Sequence, residues 1–363
     1  MQGHRFQGMT RILVGALAMM GASCALAADP PDSSEDAGAR AAAAALAARA
    51  ESIIGVLPSS APNADNPESP AKIDLGRMLY FEKRLSKNHD VSCNSCHGLD
   101  TFGVDGQPNS PGHRGQRGDR NSPTVYNAAL HLAQFWDGRA PDVEAQAKGP
   151  VLNPIEMAAP SEAHVVSVLA SIPGYVDAFA AAFPGDDESL SYDNMARAIG
   201  AFERNLMTLG RFDAFMAGDP DALNETEQRG LTTFLSVGCN SCHTGPALGG
   251  NLYRKLGFIF PYETEDAGRE NLTGNAADRH VFKVPSLRNI AETGPYFHDG
   301  SITDLSEAVR IMGYHQIGVT LSADQVNDVV AFLKSLTGEV DVLYVTPPTL
   351  PKNGPNTPAP DPS

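Results

Sequence analysis

Apolar residues recur at three- and four-residue spacing along most of this chain, a periodicity that predicts helices. Three such segments follow a good N-cap residue, at Ser191, Asn224 and Ser322. Asn224 with Glu227, and Ser322 with Gln325, have the spacing of capping boxes, in which two side chains satisfy backbone N–H groups at a helix start. Strand-like alternation is hard to find, so the pattern predicts an all-α fold.

Segments rich in Gly, Pro and Asn separate the predicted helices, and the longest are residues 98–125 and 244–280. Gly338 is expected to end the last helix. Ala41–Ala50 is almost pure alanine and has high helix propensity. The tail that follows residue 345 is rich in Pro and Asn, a composition that predicts disorder.

Residues 1–27 have the features of a cleavable signal peptide. Arg5 and Arg11 give a positive start, an apolar run follows, and Ala25 to Ala27 form a small-x-small cleavage site. The run is shorter than the ~20 residues of a membrane-spanning helix. We therefore expect export to the bacterial periplasm and no membrane span in the mature chain.

The 363-residue chain is acidic, with a formal net charge of −16, and the leader carries two arginines and no acid. Its removal gives the mature protein a charge of −18. A surface of this sign disfavours nucleic acid and anionic membranes as partners. It suits a basic partner steered by long-range attraction, although charge that only maintains solubility would have the same sign.

The pentapeptide CNSCH occurs twice, and Cys-x-x-Cys-His is the attachment signature of c-type haem. Two cysteines one helical turn apart form thioethers with the haem vinyl groups, and the histidine binds the iron. A four-cysteine zinc site or a redox dithiol needs no histidine after each pair. The only other cysteine, Cys24, lies in the leader. The sequence thus predicts two covalently bound haem c groups, held by Cys93, Cys96, His97, Cys239, Cys242 and His243.

Similar apolar segments precede the two motifs, which indicates a duplicated cytochrome unit. We therefore predict two cytochrome c-like domains, each with one haem, in an all-α protein. The predicted segments are 1–27 (signal peptide), 28–70 (alanine-rich helix and linker), 71–210 (first domain), 211–345 (second domain) and 346–363 (disordered tail).

From Ile73 to about Gly338 the chain resembles the bacterial dihaem cytochrome c peroxidases. The resemblance is carried by FWDGRA, EAQA and NPIEM within residues 135–157, by PYFHDG at 295–300, and by FKVPSLRNI at 282–290. The same superfamily includes the MauG-type enzymes, which oxidise residues of a partner protein. The resemblance implies reduction of hydrogen peroxide to water with electrons from a small periplasmic donor, either a cytochrome c or a cupredoxin.

The resemblance also assigns residues to the first, peroxidatic haem. His97 would be its proximal ligand, and His113 would be a displaceable distal ligand on a glycine-flanked loop. Glu156 would be the acid that moves a proton between the peroxide oxygens. Gln146 would orient the peroxide by hydrogen bonding.

The second haem would take its proximal ligand from His243 and its axial ligand from Met312, and would receive the electrons. MauG-type enzymes have a tyrosine in place of that methionine, and Tyr314 lies only two residues away. Trp136 would bridge the two haems for electron transfer.

The family further implies a calcium ion between the domains, bound by Asn121, Thr293 and Pro295, and a homodimer. Two rival functions remain open from the sequence. One is a MauG-like enzyme with tyrosine on the second iron. The other is a dihaem electron carrier without catalysis, which would give Glu156 no role. A sensor is less favoured, because no signalling domain accompanies the motifs.

Overall fold

The structure is a computed structural model that describes residues 33–363, and only the backbone of residues 33–36. The expected signal peptide and Cys24 lie outside the described residues. Residues 40–363 form one compact unit. The contacts described below lie within it.

The described chain is mainly helical, as the periodicity predicts. The N-terminal half contains α1 Ser33–Ile54, α2 Pro70–Tyr80, α3 Cys93–Cys96, α4 Val143–Leu152, α5 Glu162–Ala170, α6 Pro173–Ala182 and α7 Tyr192–Glu203. The C-terminal half contains α8 Arg211–Met216, α9 Glu225–Val237, α10 Glu270–Thr273, α11 Leu305–Ile311, α12 Ala323–Ser335 and α13 Val342–Val345.

The predicted helix starts are confirmed at each of the three N-caps. Ser191 accepts a hydrogen bond from the backbone of α7, and Asn224 with Glu227 forms a reciprocal capping box on α9. Ser322 and Gln325 do the same for α12. Each satisfied cap removes unpaired N–H groups from the first turn, typically a contribution of ~1 kcal/mol.

The structure also contains two short strands, which the all-α prediction did not include. The strands β1 Tyr253–Lys255 and β2 Val281–Lys283 form a short antiparallel hairpin, with Arg254 opposite Phe282. Strands of three residues are too short to show alternation. Gly338 also has a different role from the expected one, because α12 ends before it and a Cβ there would lie 2.2 Å from the Thr208 carbonyl oxygen.

The buried apolar residues form two clusters, one on each side of residue 210 for most of their length. The first cluster is built mainly from α2 and α5 to α7, and Cys93 packs against it. The second is built mainly from α8, α9 and α12, and Cys239 packs against it. The domain boundaries themselves stay a prediction.

Each end of the described chain packs against the cluster that is more distant from it in sequence. Ala43, Ala47, Ala50 and Ile54 lie on one face of α1 and belong to the second cluster. Conversely, Tyr344 of α13 packs its ring edge-on against Phe202 of the first cluster, with the centroids 5.4 Å apart. Each cluster is therefore completed by residues from the distant end of the chain.

No single helix within residues 33–363 combines the length and apolar character needed to cross a membrane. The sharply bent pair α5 and α6 meets the criterion only when its two members are taken together.

Candidate functional site

The first CNSCH motif begins with the single helical turn α3. Ser92 and Ser95 cap this turn, and the His97 amide donates to the Cys93 carbonyl at 2.9 Å. The Nδ1 of His97 lies 3.3 Å from the Gly103 carbonyl oxygen. A hydrogen bond at Nδ1 fixes the neutral tautomer and leaves Nε2 as the nitrogen available to a metal.

The second motif follows directly from α9. Gly238 adopts a left-handed conformation, φ 98°, which ends the helix and turns the chain into Cys239. The His243 amide again donates to the carbonyl of the first cysteine, and its Nδ1 lies 3.1 Å from the Leu248 carbonyl oxygen. Both motifs therefore orient their histidine by the same pair of contacts.

The donor chemistry fits haem c better than zinc. Burial lowers the pKa of His97 and brings that of His243 to about 4, so both imidazoles are neutral near pH 7. Burial raises the pKa of Cys96 to about 11 and that of Cys239 to about 12, so both side chains are neutral thiols near pH 7 before they react with a haem. Among residues 33–363, no three His, Cys, Asp or Glu side chains converge as a metal site.

A cavity of about 440 Å³ lies beside the second motif, and its walls are mostly apolar. His243 and Met312 both line it. Met312 begins a π-helical turn, Met312–Ile317, that continues α11. Tyr314 is instead 46% exposed and stacks on Phe260 with the ring centroids 4.7 Å apart. The cavity thus presents the methionine, not the tyrosine, on the same walls as His243.

Trp136 and the three expected calcium ligands line the same cavity. The Trp136 indole N–H donates to the Asn121 carbonyl at 2.9 Å, and Thr293 and Pro295 contribute further wall. The Trp136 ring also meets His298 edge-on at 6.4 Å. The Asn121 amide nitrogen is used in hydrogen bonds to two main-chain carbonyls, which leaves its side-chain oxygen as the group suited to calcium.

At the first motif the structure brings together His113 and Glu156. The His113 amide donates to the Glu156 carbonyl at 2.6 Å. Gly112 makes this approach possible, because a Cβ there would lie 2.1 Å from the Ile155 carbonyl oxygen. Burial is the main cause that raises the pKa of Cys96, and the charges of Asp105 and Glu156 add to it.

The Glu156 side chain is half-buried. Its Oε1 accepts a hydrogen bond from the Asn153 amide at 2.8 Å. Burial raises the pKa of Glu156, while the charge of Arg139 and the Asn153 hydrogen bond oppose that rise. Gln146 is half-buried on α4, which ends one residue before Asn153.

Two further residues, which the sequence analysis did not identify, line the cavity beside the second motif. The Lys283 ammonium donates to Nδ1 of His131 at 3.0 Å. Burial lowers the pKa of Lys283 to about 8, with the nearby Asp137 opposing it. A lysine within the apolar strand β2 was the available signal, because buried lysines almost always have a specific partner.

These features define the chain as a helical protein with two oriented Cys-x-x-Cys-His motifs, the arrangement of a dihaem c-type cytochrome. The family model for di-haem cytochrome c peroxidase matches residues 70–221. The cytochrome c551 peroxidase of Nitrosomonas europaea is 45% identical over 315 residues, which cover 85% of this chain and 93% of that protein. Its counterpart in Pseudomonas aeruginosa is 45% identical over 300 residues, covering 81% and 86% respectively.

A solved structure, that of a MauG-like protein associated with microbial copper homeostasis, superimposes with a TM-score of 0.74. It shares 30% identity, and the match covers 81% of this chain and 97% of that one. The chain belongs to the di-haem cytochrome c peroxidase family.

Proposed function

We propose that this protein is a cytochrome c peroxidase that reduces hydrogen peroxide to water with electrons from a small donor protein. Two relatives at 45% identity carry that activity in their names. The structural observation that carries the proposal is the placement of Met312, rather than Tyr314, in the cavity wall beside His243. Methionine is the ligand expected of an electron-accepting haem.

The cysteines and histidines of the two motifs would hold the two haem groups, with Met312 as the axial ligand of the second. When bound, the haems supply one-electron transfer and, at the first site, an iron centre that binds and activates peroxide. Lys283 would offer a positive charge to a carboxylate of the second haem, since it lines the cavity from a buried strand.

Glu156 is the proposed general acid and base. It would take a proton from one oxygen of hydrogen peroxide and deliver it to the other. That second oxygen leaves as water when the O–O bond breaks. A carboxyl group whose pKa is raised by burial is closer to the operating pH and transfers protons in both directions more readily. The hydrogen bond from Asn153 fixes one carboxyl oxygen and leaves the other for the substrate.

Electrons would enter on the side of the cavity beside the second motif. An exposed aromatic group formed by Phe258, Phe260 and Tyr314 lies at its edge, and Phe258 also lines the cavity. An apolar contact surface on an acidic protein suits a basic donor that is steered by charge and docks by apolar contact. Trp136, in the cavity wall, would carry the electron toward the first site.

The remaining assignments extend the same proposal. We place calcium at Asn121, Thr293 and Pro295, because an amide and two main-chain carbonyls give the oxygen ligands that calcium prefers. Export to the periplasm, homodimerisation and the two-domain division at residue 210 are proposed with it. Gln146 would orient the peroxide from α4.

The test is steady-state peroxide turnover with reduced cytochrome c, before and after one-electron reduction of the enzyme. We expect Glu156→Gln to lower kcat by ~10²- to 10⁴-fold while the haem absorption spectrum is kept. Glu188→Gln, an exposed carboxyl group, is the matched control and should leave kcat unchanged.

Three results would contradict the proposal. Full turnover in Glu156→Gln would remove the assigned acid. No turnover by the wild-type enzyme in either redox state, with methionine ligation intact in its spectrum, would indicate an electron carrier. A tyrosine-ligated second haem would favour the MauG-like function.

A further inference from the structure

The segment 347–363, called here the C-terminal strap, has no helix or strand but is bound along the first half of the molecule. It begins beside the chain segment that follows α2. There the Arg84 guanidinium donates to the Pro351 carbonyl at 2.9 Å and to the Asn353 side-chain oxygen at 2.5 Å. The composition that predicts disorder therefore coexists with specific polar contacts.

The middle of the strap fits closely between the ends of α5 and α6. A Cβ at Gly354 would lie only 2.1 Å from the Ser171 carbonyl oxygen, so no other residue allows this approach without displacement. The Ser171 hydroxyl donates to the Thr357 hydroxyl at 3.0 Å. Gly174 makes the matching contact on α6, where a Cβ would lie 2.9 Å from Pro351.

The strap ends at the His113 loop. The Asp361 amide donates to the Lys87 carbonyl at 3.0 Å, and the Lys87 ammonium donates to the main-chain oxygen of Ser363 at 2.6 Å. The same oxygen lies 3.3 Å from Nε2 of His113. Ser363 is thus held by Lys87 and in turn meets the imidazole.

This contact occupies the ring nitrogen through which a histidine on this loop would bind iron. A main-chain oxygen is only an acceptor, so Nε2 is the donor in this contact. While Nε2 makes this hydrogen bond, the same nitrogen cannot bind the iron. His113 is 5% exposed, and its Nδ1 is buried without a hydrogen-bond partner within residues 33–363.

We propose that the C-terminal strap is a positioning element that retains His113 away from the first haem and so keeps the peroxide site accessible. The inference rests on the proposed function, in which His113 is the displaceable distal ligand. The loop is held on two sides: its backbone by the Glu156 carbonyl, and its imidazole by the strap. Release of the strap frees Nε2 to bind the iron and closes the site.

The test displaces the strap in the full-length holoenzyme. Gly354→Val introduces the clash with Ser171, and a chain that ends at residue 346 removes the strap altogether. Asn356→Ala, an exposed position within the strap, is the matched control. Hydrogen exchange of the amides of residues 112–116 is expected to become about tenfold faster in both displaced variants but not in the control, because one anchoring hydrogen bond is lost.

The second measurement is the electron paramagnetic resonance spectrum of the oxidised enzyme. We expect a larger low-spin, bis-histidine fraction at the first haem in Gly354→Val and in the shortened chain than in wild type. Unchanged exchange in residues 112–116 despite rapid exchange of the strap would overturn the proposal. So would a low-spin fraction that falls or stays constant.

The double variant His113→Gly with Gly354→Val tests the strap proposal separately from the peroxidase proposal. Loss of the new low-spin signal assigns it to His113 and supports the strap proposal. If the signal persists, His113 is not the distal ligand and the strap proposal fails, yet peroxide turnover that depends on Glu156 would still uphold the peroxidase.

Discussion

The buried ion pair between Glu144 and Arg204 connects α4, which carries Gln146, to the end of α7. Arg204 donates from Nε to Oε1 at 2.8 Å and from Nη2 to Oε2 at 2.7 Å, a bidentate geometry. The Asn66 amide adds a third donor to Oε1 at 2.9 Å. The helices approach closely here, because a Cβ at Gly200 would lie 2.6 Å from the Glu144 side chain.

We predict that Arg204→Met destabilises the protein by ~3–5 kcal/mol, the range for removal of one partner from a buried pair. Burial by itself raises the pKa of Glu144, but the hydrogen bonds and charge of Arg204, together with Asn66, hold it below its usual value. Without Arg204 the carboxylate would remain buried, with the side-chain amides of Asn66 and Asn63 as its remaining donors. Only about one tenth of its side chain is exposed, so water solvates it poorly.

The assay is guanidinium denaturation followed by circular dichroism at 222 nm. Arg279→Met, which removes an exposed pair with Glu270, is the control and should cost less than about 1 kcal/mol. The double variant Glu144→Met with Arg204→Met should recover most of the lost stability, because no uncompensated charge is then buried.

The pH dependence gives a second check with a fixed sign. A carboxyl group whose folded pKa is depressed contributes stability that is present above its unfolded pKa, near 4.5, and is lost as the pH falls through the folded value. The cost of Arg204→Met should therefore be largest near pH 7 and shrink below about pH 4.5. A cost near pH 7 that is no larger than that of Arg279→Met would refute this account of how α4 is held.

Three further predictions test other parts of the molecule. Burial raises the pKa of Glu203 to about 8, so the free energy of unfolding should fall by roughly 1.4 kcal/mol per pH unit between its unfolded pKa and that value. Glu203→Gln should flatten this pH dependence in denaturation curves, and equal slopes in variant and wild type would contradict the prediction. Gly112→Ala should lower kcat by on the order of tenfold to a hundredfold by displacing the His113 loop, whereas Gly118→Ala, which meets only ordinary contacts, should not. Met312→His should lower the potential of the second haem by on the order of 100 mV in a redox titration, since axial ligands set haem potentials over about 0.8 V, while Tyr314→Phe should leave it unchanged.

Local signals in the sequence were sufficient for the three capped helices and the two motifs. A capping box such as Ser322 with Gln325 acts within one turn, and CNSCH acts within five residues, so neither needs information from elsewhere in the chain. The same holds for α9, whose C-terminal Gly238 both ends the helix and begins the second motif.

The candidate site was less accessible to the sequence alone. Glu156 and His113 are ordinary polar residues until the backbone contact between them brings both to one place. The choice between Met312 and Tyr314 depends on which of them a π-helical turn directs into the cavity, and such turns have no reliable sequence signal. Lys283 was not identified from the sequence, because its role depends on the burial of β2 and on its hydrogen bond to His131.

Composition gives the least information about where the two ends of the chain pack. The alanines of α1 are too small to reveal a partner, yet Ala47 and Ala50 are buried in the second cluster. The strap has too few apolar residues to predict order, and it is held instead by main-chain acceptors and by close approach at Gly354. Such contacts depend on backbone atoms that every residue has, so a sequence cannot specify them by residue type.

The last contact of the strap is with His113. If His113 has the proposed role, release of residues 347–363 would therefore change the first haem site while the segments between them stay in place.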